Sequence, residues 1–157
     1  MKHFPLYIDL SDKNILVIGG GQIATRRVTT LLSFNPVITL LSPEVGDTLH
    51  SYITQGKITW EKSSFPGNTD DPIPLKKYDM ILAATNSREV NHTVYKYAKK
   101  ESIPVNVCDC QEECDFFFPA IIESTHAIAS VTANGSNHTL VSRLAANIRT
   151  LLQELDP

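Results

Sequence analysis

The sequence predicts an α/β protein, in which a parallel sheet carries helices on both faces and a small β-β-α region follows. Two observations lead to this prediction. From Asn14 to Asp109, short apolar runs alternate with segments whose apolar residues recur at helical spacing, which is typical of parallel strands joined by helical crossovers. Beyond Asp109 the order changes to two adjacent strands and one final helix.

Five strands are predicted for the parallel sheet, and each is a short apolar run. They lie at 14–19, 37–41, 57–61, 78–84 and 104–107. The first helix is predicted at 22–34, since a proline follows it. Ser42 suits the N-cap of a second helix with Pro43 at its first position, and Asn86 resembles the start of a capping box for the third. The proline-rich segment 62–77 is predicted to form a surface loop.

The last part of the chain is predicted to pack against a second copy of itself. Strands are expected at 116–122 and 127–132, and a helix with one leucine-rich side follows. Such a segment is too small to bury its own core. We therefore divide the chain into a domain at 1–112 and a dimerisation region at 113–157, which predicts a homodimer. The alternative is that the final helix packs only on its own sheet.

Composition and charge exclude several classes of protein. The chain has 157 residues, of which 42% are hydrophobic and 20% are charged, so a packed core is expected and disorder is not. The net charge of −3 provides no basic field for nucleic acid. No apolar run is long enough to cross a membrane, and the first residues do not resemble a signal peptide. We expect a cytoplasmic protein with no nucleic-acid or membrane partner.

A glycine turn between the first strand and the first helix predicts a dinucleotide site. Gly19, Gly21 and Ala24 fill the frame G-x-G-x-x-G/A. The first glycine permits the tight turn, the second lets the backbone approach a pyrophosphate, and the small third residue lets helix and strand pack closely. The N–H groups at Gln22 and Ile23, where the helix begins, would face the phosphates. The frame thus predicts a Rossmann-like domain, although such a turn also occurs for steric reasons alone.

The ends of two further strands are expected to contact the rest of the cofactor, because ligands of open α/β sheets bind at the carboxyl edge of the strands. Ser42 and Pro43 follow the second strand, where the adenine ribose would lie. No arginine follows that strand to hold a 2′-phosphate, which favours NAD over NADP. Thr85 and Asn86 follow the fourth strand and would lie near the nicotinamide, although Asn86 can serve as a helix cap at the same time.

A set of motifs along the chain resembles the precorrin-2 dehydrogenase family, which forms the N-terminal part of siroheme synthase. The motifs lie at 4–10, 19–27, 83–91, 106–109, 118–122 and 132–136. Each is weak alone, but the set in this order is specific and covers nearly the whole chain. The resemblance implies an NAD site, a dimerisation region and a substrate cleft between them. It also implies oxidation of precorrin-2, a tetrapyrrole, to sirohydrochlorin.

The resemblance further implies catalytic and substrate-binding residues. Asp109 matches the aspartate tied to the family's activities, and a carboxylate at the end of the fifth strand can act as a general base. The alternative for a lone aspartate after a strand is a turn or a cap. Asn106, Ser136 and His138 belong to or adjoin family positions near the substrate. Some members also insert ferrous iron or cobalt into the product, so these metals are expected only as substrates.

Basic groups and cysteines are further candidates. The substrate carries many carboxylates, so a net-negative protein must gather cations locally. The candidates are Arg88, His126, His138 and Arg143. Cys108, Cys110 and Cys114 have a spacing that could hold a soft metal or serve redox chemistry. The alternative is one buried thiol and two incidental thiols in a reducing compartment, and we assign no resident metal.

Three functions stay open on the sequence alone. They are an NAD-dependent dehydrogenase, a dimeric dinucleotide-sensing module without catalysis, and a chelatase that does not oxidise its substrate. The chain stops at Pro157, where members of the family continue into a helical domain, so that domain is expected to be absent.

Overall fold

The computed structural model describes residues 3–65, 74–133 and 137–155. Within these ranges the chain forms two compact units. One unit runs from Tyr7 to Phe116, and the other combines the N-terminal residues as far as Leu6 with the chain from Phe117 onward. The division of function between a dinucleotide-binding domain and a dimerisation region stays a prediction.

The larger unit is a five-stranded parallel sheet with helical connections. Its strands are β1 (Asn14–Ile18), β2 (Val37–Leu41), β3 (Thr59–Glu61), β4 (Met80–Ala83) and β5 (Val105–Val107). Their order across the sheet is β3-β2-β1-β4-β5. The chain therefore adds β2 and β3 on one side of β1 and then crosses to the other side to add β4 and β5. The helices are α1 (Gln22–Leu32), α2 (Asp47–Thr54) and α3 (Arg88–Lys100). This architecture confirms the predicted Rossmann-like fold class.

The central strand explains why the sheet forms here. Residues Ile15, Leu16 and Val17 of β1 are completely buried, because helices cover both faces of a parallel sheet. β1 pairs with β2 on one side, with Ile18 opposite Leu41, and with β4 on the other, with Ile18 opposite Ala83. The carboxyl ends of these three strands therefore meet at one edge, where ligands of this fold class bind.

Two predicted helix starts are wrong. Helix α2 begins at Asp47 with Gly46 as its N-cap, rather than after Ser42. The Ser42 hydroxyl donates to the carbonyl of Glu44 at 2.6 Å, so it closes a turn and is not used to cap a helix. Helix α3 is capped by Ser87 rather than Asn86, since the Ser87 hydroxyl accepts the N–H of Val90.

The predicted surface loop at 62–77 is also only partly correct. Phe65 and Leu75 are buried, and Leu75–Lys77 forms one turn of 3-10 helix. Residues 66–73 of this segment lie outside the described ranges. Apolar side chains at the two ends of a polar, proline-rich segment thus fix those ends to the core, which composition alone did not indicate.

The smaller unit contains an antiparallel pair of strands and a long helix. The strands are β6 (Ala120–Glu123) and β7 (Ile128–Val131), and the helix is α4 (His138–Leu155). Strand β6 begins later than the predicted residue 116. Ala145 is the buried residue of α4, whereas four leucines of the predicted leucine-rich side are exposed within the single chain. These are Leu140, Leu144, Leu151 and Leu155.

Candidate dinucleotide site at the carboxyl edge of the sheet

The first glycine after β1 is required by the fold itself. Gly19 has a φ of +114°, which side-chain-bearing residues rarely adopt. A Cβ atom at Gly19 would lie 2.3 Å from the carbonyl oxygen of Ala84, at the end of β4. The neighbouring Gly20 is equally constrained, because its Cβ would lie 2.0 Å from the carbonyl oxygen of Glu44. Gly20 was not identified from the sequence, since it falls on an unspecified position of the glycine frame.

The last glycine of the turn has a different environment. A Cβ atom at Gly21 would have no heavy atom within 4 Å, so packing within the chain does not require glycine there. Gly21 is the N-cap of α1 and supplies no side-chain hydrogen bond to the first turn. The first N–H groups of a helix have no partner within the helix and carry partial positive charge, and Gly21, Gln22 and Ile23 line an open cleft. Open backbone donors at the start of an eleven-residue helix fit the diphosphate of a dinucleotide.

Most of the residues predicted to bind the cofactor line one cleft of about 800 Å³. From the glycine turn these are Gly19, Gly21, Gln22 and Ile23; from the ends of β2 and β4 they are Ser42, Pro43, Thr85 and Asn86. Ala24 lies behind them, completely buried, as expected for the small residue that lets α1 approach β1. The sequence did not indicate Glu44, Ser63 or Ser64, which line the same cleft.

The wall after β2 is built by a network that involves Ser42. Its side chain is buried and bonded to Glu44, and its backbone carbonyl accepts the indole N–H of Trp60 at 2.9 Å. The N–H of Gly46 reaches the carbonyl of Gly20 at 3.3 Å, which ties this wall to the glycine turn. The Ser42 hydroxyl therefore already donates its proton to the Glu44 carbonyl. A ribose hydroxyl could bind only by donating to the lone pairs of the Ser42 oxygen.

The wall after β4 depends on a buried amide. Asn91 on α3 has no exposed surface, and its Oδ1 accepts the N–H of Thr85 at 3.1 Å and the hydroxyl of Thr85 at 2.7 Å. Its Nδ2 donates to the carbonyl of Thr85 at 3.1 Å. One side chain thus satisfies both backbone groups of Thr85 and fixes the loop between β4 and α3. The sequence motif included Asn91 but did not reveal this role.

Asp109 lies in the turn after β5 and does not line the cleft in the part of the chain that the structure describes. The N–H of Cys110 donates to the carbonyl of Val107 at 3.2 Å, which closes this turn. The Asp109 carboxylate, about one third exposed, accepts a hydrogen bond from Arg88 at 3.1 Å. Arg88 begins α3, so the pair connects the helix after β4 with the end of β5.

The three residues predicted to bind substrate have different surroundings. Asn106 is buried, and its Nδ2 donates to the carbonyl of Phe116 at 2.8 Å and contacts Cys114 Sγ at 3.4 Å. His138 is the exposed first residue of α4, and Ser136 lies outside the described residues. A direct contact of any of them with substrate stays a prediction. Of the other basic candidates, His126 and Arg143 are exposed on the smaller unit.

Burial makes two of the three cysteine thiols, Cys108 and Cys114, less acidic. Burial raises the pKa of Cys108, an effect that the adjacent Arg27 guanidinium opposes, and burial likewise raises the pKa of Cys114. None of the three forms a disulfide. Among the described residues, no group of three or more cysteine, histidine, aspartate or glutamate side chains is placed to hold a metal ion. No described helix is long and apolar enough to span a membrane.

The fold is that of a Rossmann-like protein, and the cleft lies at the edge of the sheet where ligands of this fold class bind. A family model with the description "Putative NAD(P)-binding" matches residues 6–120. The chain therefore belongs to this NAD(P)-binding family, which confirms the predicted class of cofactor.

Similar curated proteins confirm the resemblance to siroheme synthases. The chain is 42% identical over 154 residues to the "Probable multifunctional siroheme biosynthesis protein HemA" of Ruminiclostridium josui, covering 98% of this chain and 29% of that protein. It is 34% identical over 152 residues to the siroheme synthase of Methylobacillus flagellatus, covering 97% of this chain and 32% of that protein. The chain thus spans about a third of the length of these relatives.

A solved structure shows the same fold. The protein named "SirC, precorrin-2 dehydrogenase" matches with a TM-score of 0.73 at 22% identity, over 95% of this chain and 71% of that chain. This likeness confirms the parallel sheet with its β-β-α region.

Proposed function

We propose that this chain catalyses the NAD-dependent dehydrogenation of precorrin-2 to sirohydrochlorin. The observation that carries the proposal is the open glycine turn at the edge where β1, β2 and β4 end. We infer the substrate of this chain from the siroheme synthases that match nearly the whole chain and from the solved protein named as a precorrin-2 dehydrogenase.

The cofactor would lie along the cleft with its adenine end after β2 and its nicotinamide end after β4. Its diphosphate would rest on the backbone from Gly19 to Ile23, next to the N–H groups at the start of α1. The adenine ribose would meet Ser42 and Pro43, and the nicotinamide would lie near Thr85 and Asn86. We propose NAD rather than NADP because Glu44, an acidic residue, lines the cleft beyond β2, where a 2′-phosphate would be repelled.

The reaction removes two hydrogens from the substrate. NAD⁺, when bound, would supply the acceptor for one of them as a hydride, so the protein must bind, orient and deprotonate the substrate. We assign the proton to the Asp109 carboxylate, which lies at the end of β5 at the same edge of the sheet. The balance is precorrin-2 plus NAD⁺ giving sirohydrochlorin, NADH and one proton, which Asp109 holds before releasing it to water.

The second unit is proposed to complete the enzyme as a homodimer. Phe4, Leu144 and Leu151 are 86%, 40% and 51% exposed in the single chain, and such apolar surface is expected to be covered in an assembly. We propose that two residues, Ser136 and His138, contact the substrate directly. Asn106 would act on the substrate site by holding the chain after β5 in place. Three thiols without a disulfide support a reducing, cytoplasmic location.

Anaerobic assay of the purified chain with precorrin-2 and NAD⁺ tests the proposal. We expect NADH and sirohydrochlorin to appear in equal amounts, and no NADH without precorrin-2. Binding of NADH with no turnover would contradict a dehydrogenase and favour the dinucleotide-sensing module. The same protein supplied with sirohydrochlorin and Fe²⁺ or Co²⁺ tests the chelatase hypothesis, in which metal insertion occurs without oxidation.

A further inference from the structure

Four ionisable side chains form one network at the end of β5. Arg88 and His92 come from the first turns of α3, while Asp109 and Glu113 come from the segment after β5. Arg88 Nη1 donates to Asp109 Oδ1 at 3.1 Å, and Arg88 Nη2 donates to Glu113 Oε1. His92 Nδ1 lies 2.7 Å from the same Glu113 oxygen. The guanidinium thus bridges two carboxylates that are four residues apart.

Arg88 occupies a position where a positive charge is electrostatically unfavourable. Arg88 is the first residue of α3, where the helix dipole disfavours positive charge. The two carboxylates offset this effect, and the hydrogen bond to Glu113 raises the pKa of Arg88 above its ordinary value. An arginine placed against the dipole and held by two long-range partners indicates that the guanidinium is needed at this point.

Glu113 is the anchor of the network. Its side chain is 13% exposed, compared with 35% for Asp109 and 46% for Arg88. Its Oε1 receives both Arg88 and His92, while its Oε2 is enclosed and has no hydrogen-bond partner among the described residues. The network is therefore enclosed at Glu113 and open to solvent at Asp109. It fixes the guanidinium at its buried end and leaves Asp109 at its exposed end.

We infer that Arg88, anchored by Glu113 and His92, is a positioning residue for Asp109 in the dehydrogenation, an inference that rests on the proposed function. The guanidinium engages Oδ1 of Asp109 and leaves Oδ2 outside the ion pair. Its rigid fork can hold both carboxylates at once, which a lysine cannot reproduce. Asp109 is thereby held in one orientation with Oδ2 directed to accept the proton of the substrate.

The test compares Arg88→Gln and Arg88→Lys with a matched control on the same helix. Lys99 pairs with Asp115 at 2.8 Å, is similarly exposed, and also connects α3 to the segment after β5. Lys99→Gln therefore removes an equivalent ion pair away from Asp109. For each variant, kcat and KM with precorrin-2, the affinity for NADH and the thermal midpoint of unfolding are measured.

A misplaced base slows the chemical step and leaves binding unchanged. We expect Arg88→Gln to lower kcat by about tenfold to a hundredfold while the NADH affinity stays within about twofold. Arg88→Lys is expected to have a kcat between those of Arg88→Gln and the wild type. Glu113→Gln is also expected to lower kcat, whereas Lys99→Gln is expected to keep the wild-type kcat.

Equal kcat values for Arg88→Gln and Lys99→Gln would overturn the inference. A parallel loss of kcat and NADH affinity in Arg88→Gln would also overturn it, because that pattern describes general damage to the site. If Arg88→Gln does not fold, Glu113→Gln decides by the same criteria. A wild-type chain that binds NADH but produces none from precorrin-2 would instead refute the proposed function, and the positioning role with it.

Discussion

Two regions at the carboxyl edge of the sheet are built in contrasting ways. The end of β1 presents backbone: Gly19 and Gly20 pack against carbonyl oxygens, and Gly21 leaves the start of α1 open. The end of β5 presents charged side chains, in which Arg88 joins Asp109 to Glu113. Backbone dipoles form a site of fixed geometry for a cofactor that is the same in every turnover. Ionised side chains can take up and release a proton. This difference supports our proposal that the first region binds the cofactor and the second carries the chemistry.

Breaking the backbone region should have the largest effect. A Gly19→Val substitution places a branched side chain at a φ of +114° and within 2.3 Å of the Ala84 carbonyl oxygen. We expect the free energy of unfolding to fall by about 4 kcal/mol or more, as for other severe backbone and packing conflicts. Chemical denaturation of the variant checks this. A variant as stable as the wild type would show that the turn is not constrained as described.

Removing the charge at the other region should affect the rate without affecting the fold. Asp109→Asn keeps the size of the side chain and removes the carboxylate that we propose as the base. We expect kcat to fall by about a hundredfold to ten-thousandfold, the range for loss of a general base, with an unchanged affinity for NADH. Steady-state kinetics and a binding titration check the two expectations separately. Normal turnover in this variant would show that Asp109 is not the base.

The loop after β4 is fixed by Asn91, which bonds Thr85. Asn91→Leu is nearly isosteric but leaves the N–H and carbonyl of Thr85 without their partner. We expect a loss of about 2–3 kcal/mol in the free energy of unfolding and a weaker NADH affinity. Thr93→Val, which removes only an exposed hydroxyl bonded to the Glu89 carbonyl on the same helix, is the control and should change stability little. Equal effects of the two substitutions would contradict this role.

The smallest expected effect is a pH dependence of stability. Burial alone would raise the pKa of Glu113, but the hydrogen bonds from Arg88 and His92 outweigh it and hold that pKa below its usual value. The stabilisation is therefore complete above the ordinary glutamate pKa of about 4.3 and is lost as the pH falls through the lower folded-state value. Thermal midpoints of the wild type and Glu113→Gln should differ most near neutral pH and converge in acid. A constant difference would contradict the ionised network.

Local patterns account for what the sequence predicted. The glycine frame, the apolar runs and the spacing of Val28 and Leu31 in α1 lie within a few residues of one another, so the β1 turn was recognised. The prediction that Ser42 caps a helix is wrong because its hydroxyl donates to the Glu44 carbonyl instead, and the sequence does not show this competing acceptor.

Long-range contacts account for what the sequence missed. Arg88 and Glu113 are separated by 25 positions, and only the pairing of β4 with β5 brings them together. Gly20 could have been recognised only with knowledge of how the segment at Glu44 returns across the turn. The motifs at 19–27 and 83–91 include Gly20 and Arg88 but do not show their contacts, which only the tertiary structure reveals.

The central claim is that open backbone at Gly21 holds the diphosphate of the cofactor, and Gly21→Val tests it most directly. The side chain enters open space, so the thermal midpoint should stay close to that of the wild type. Calorimetry should show NADH binding to the wild type and at least tenfold weaker binding to the variant, about 1.4 kcal/mol. Equal affinity for NADH in two equally stable proteins, or no NADH binding to the folded wild type, would contradict the account.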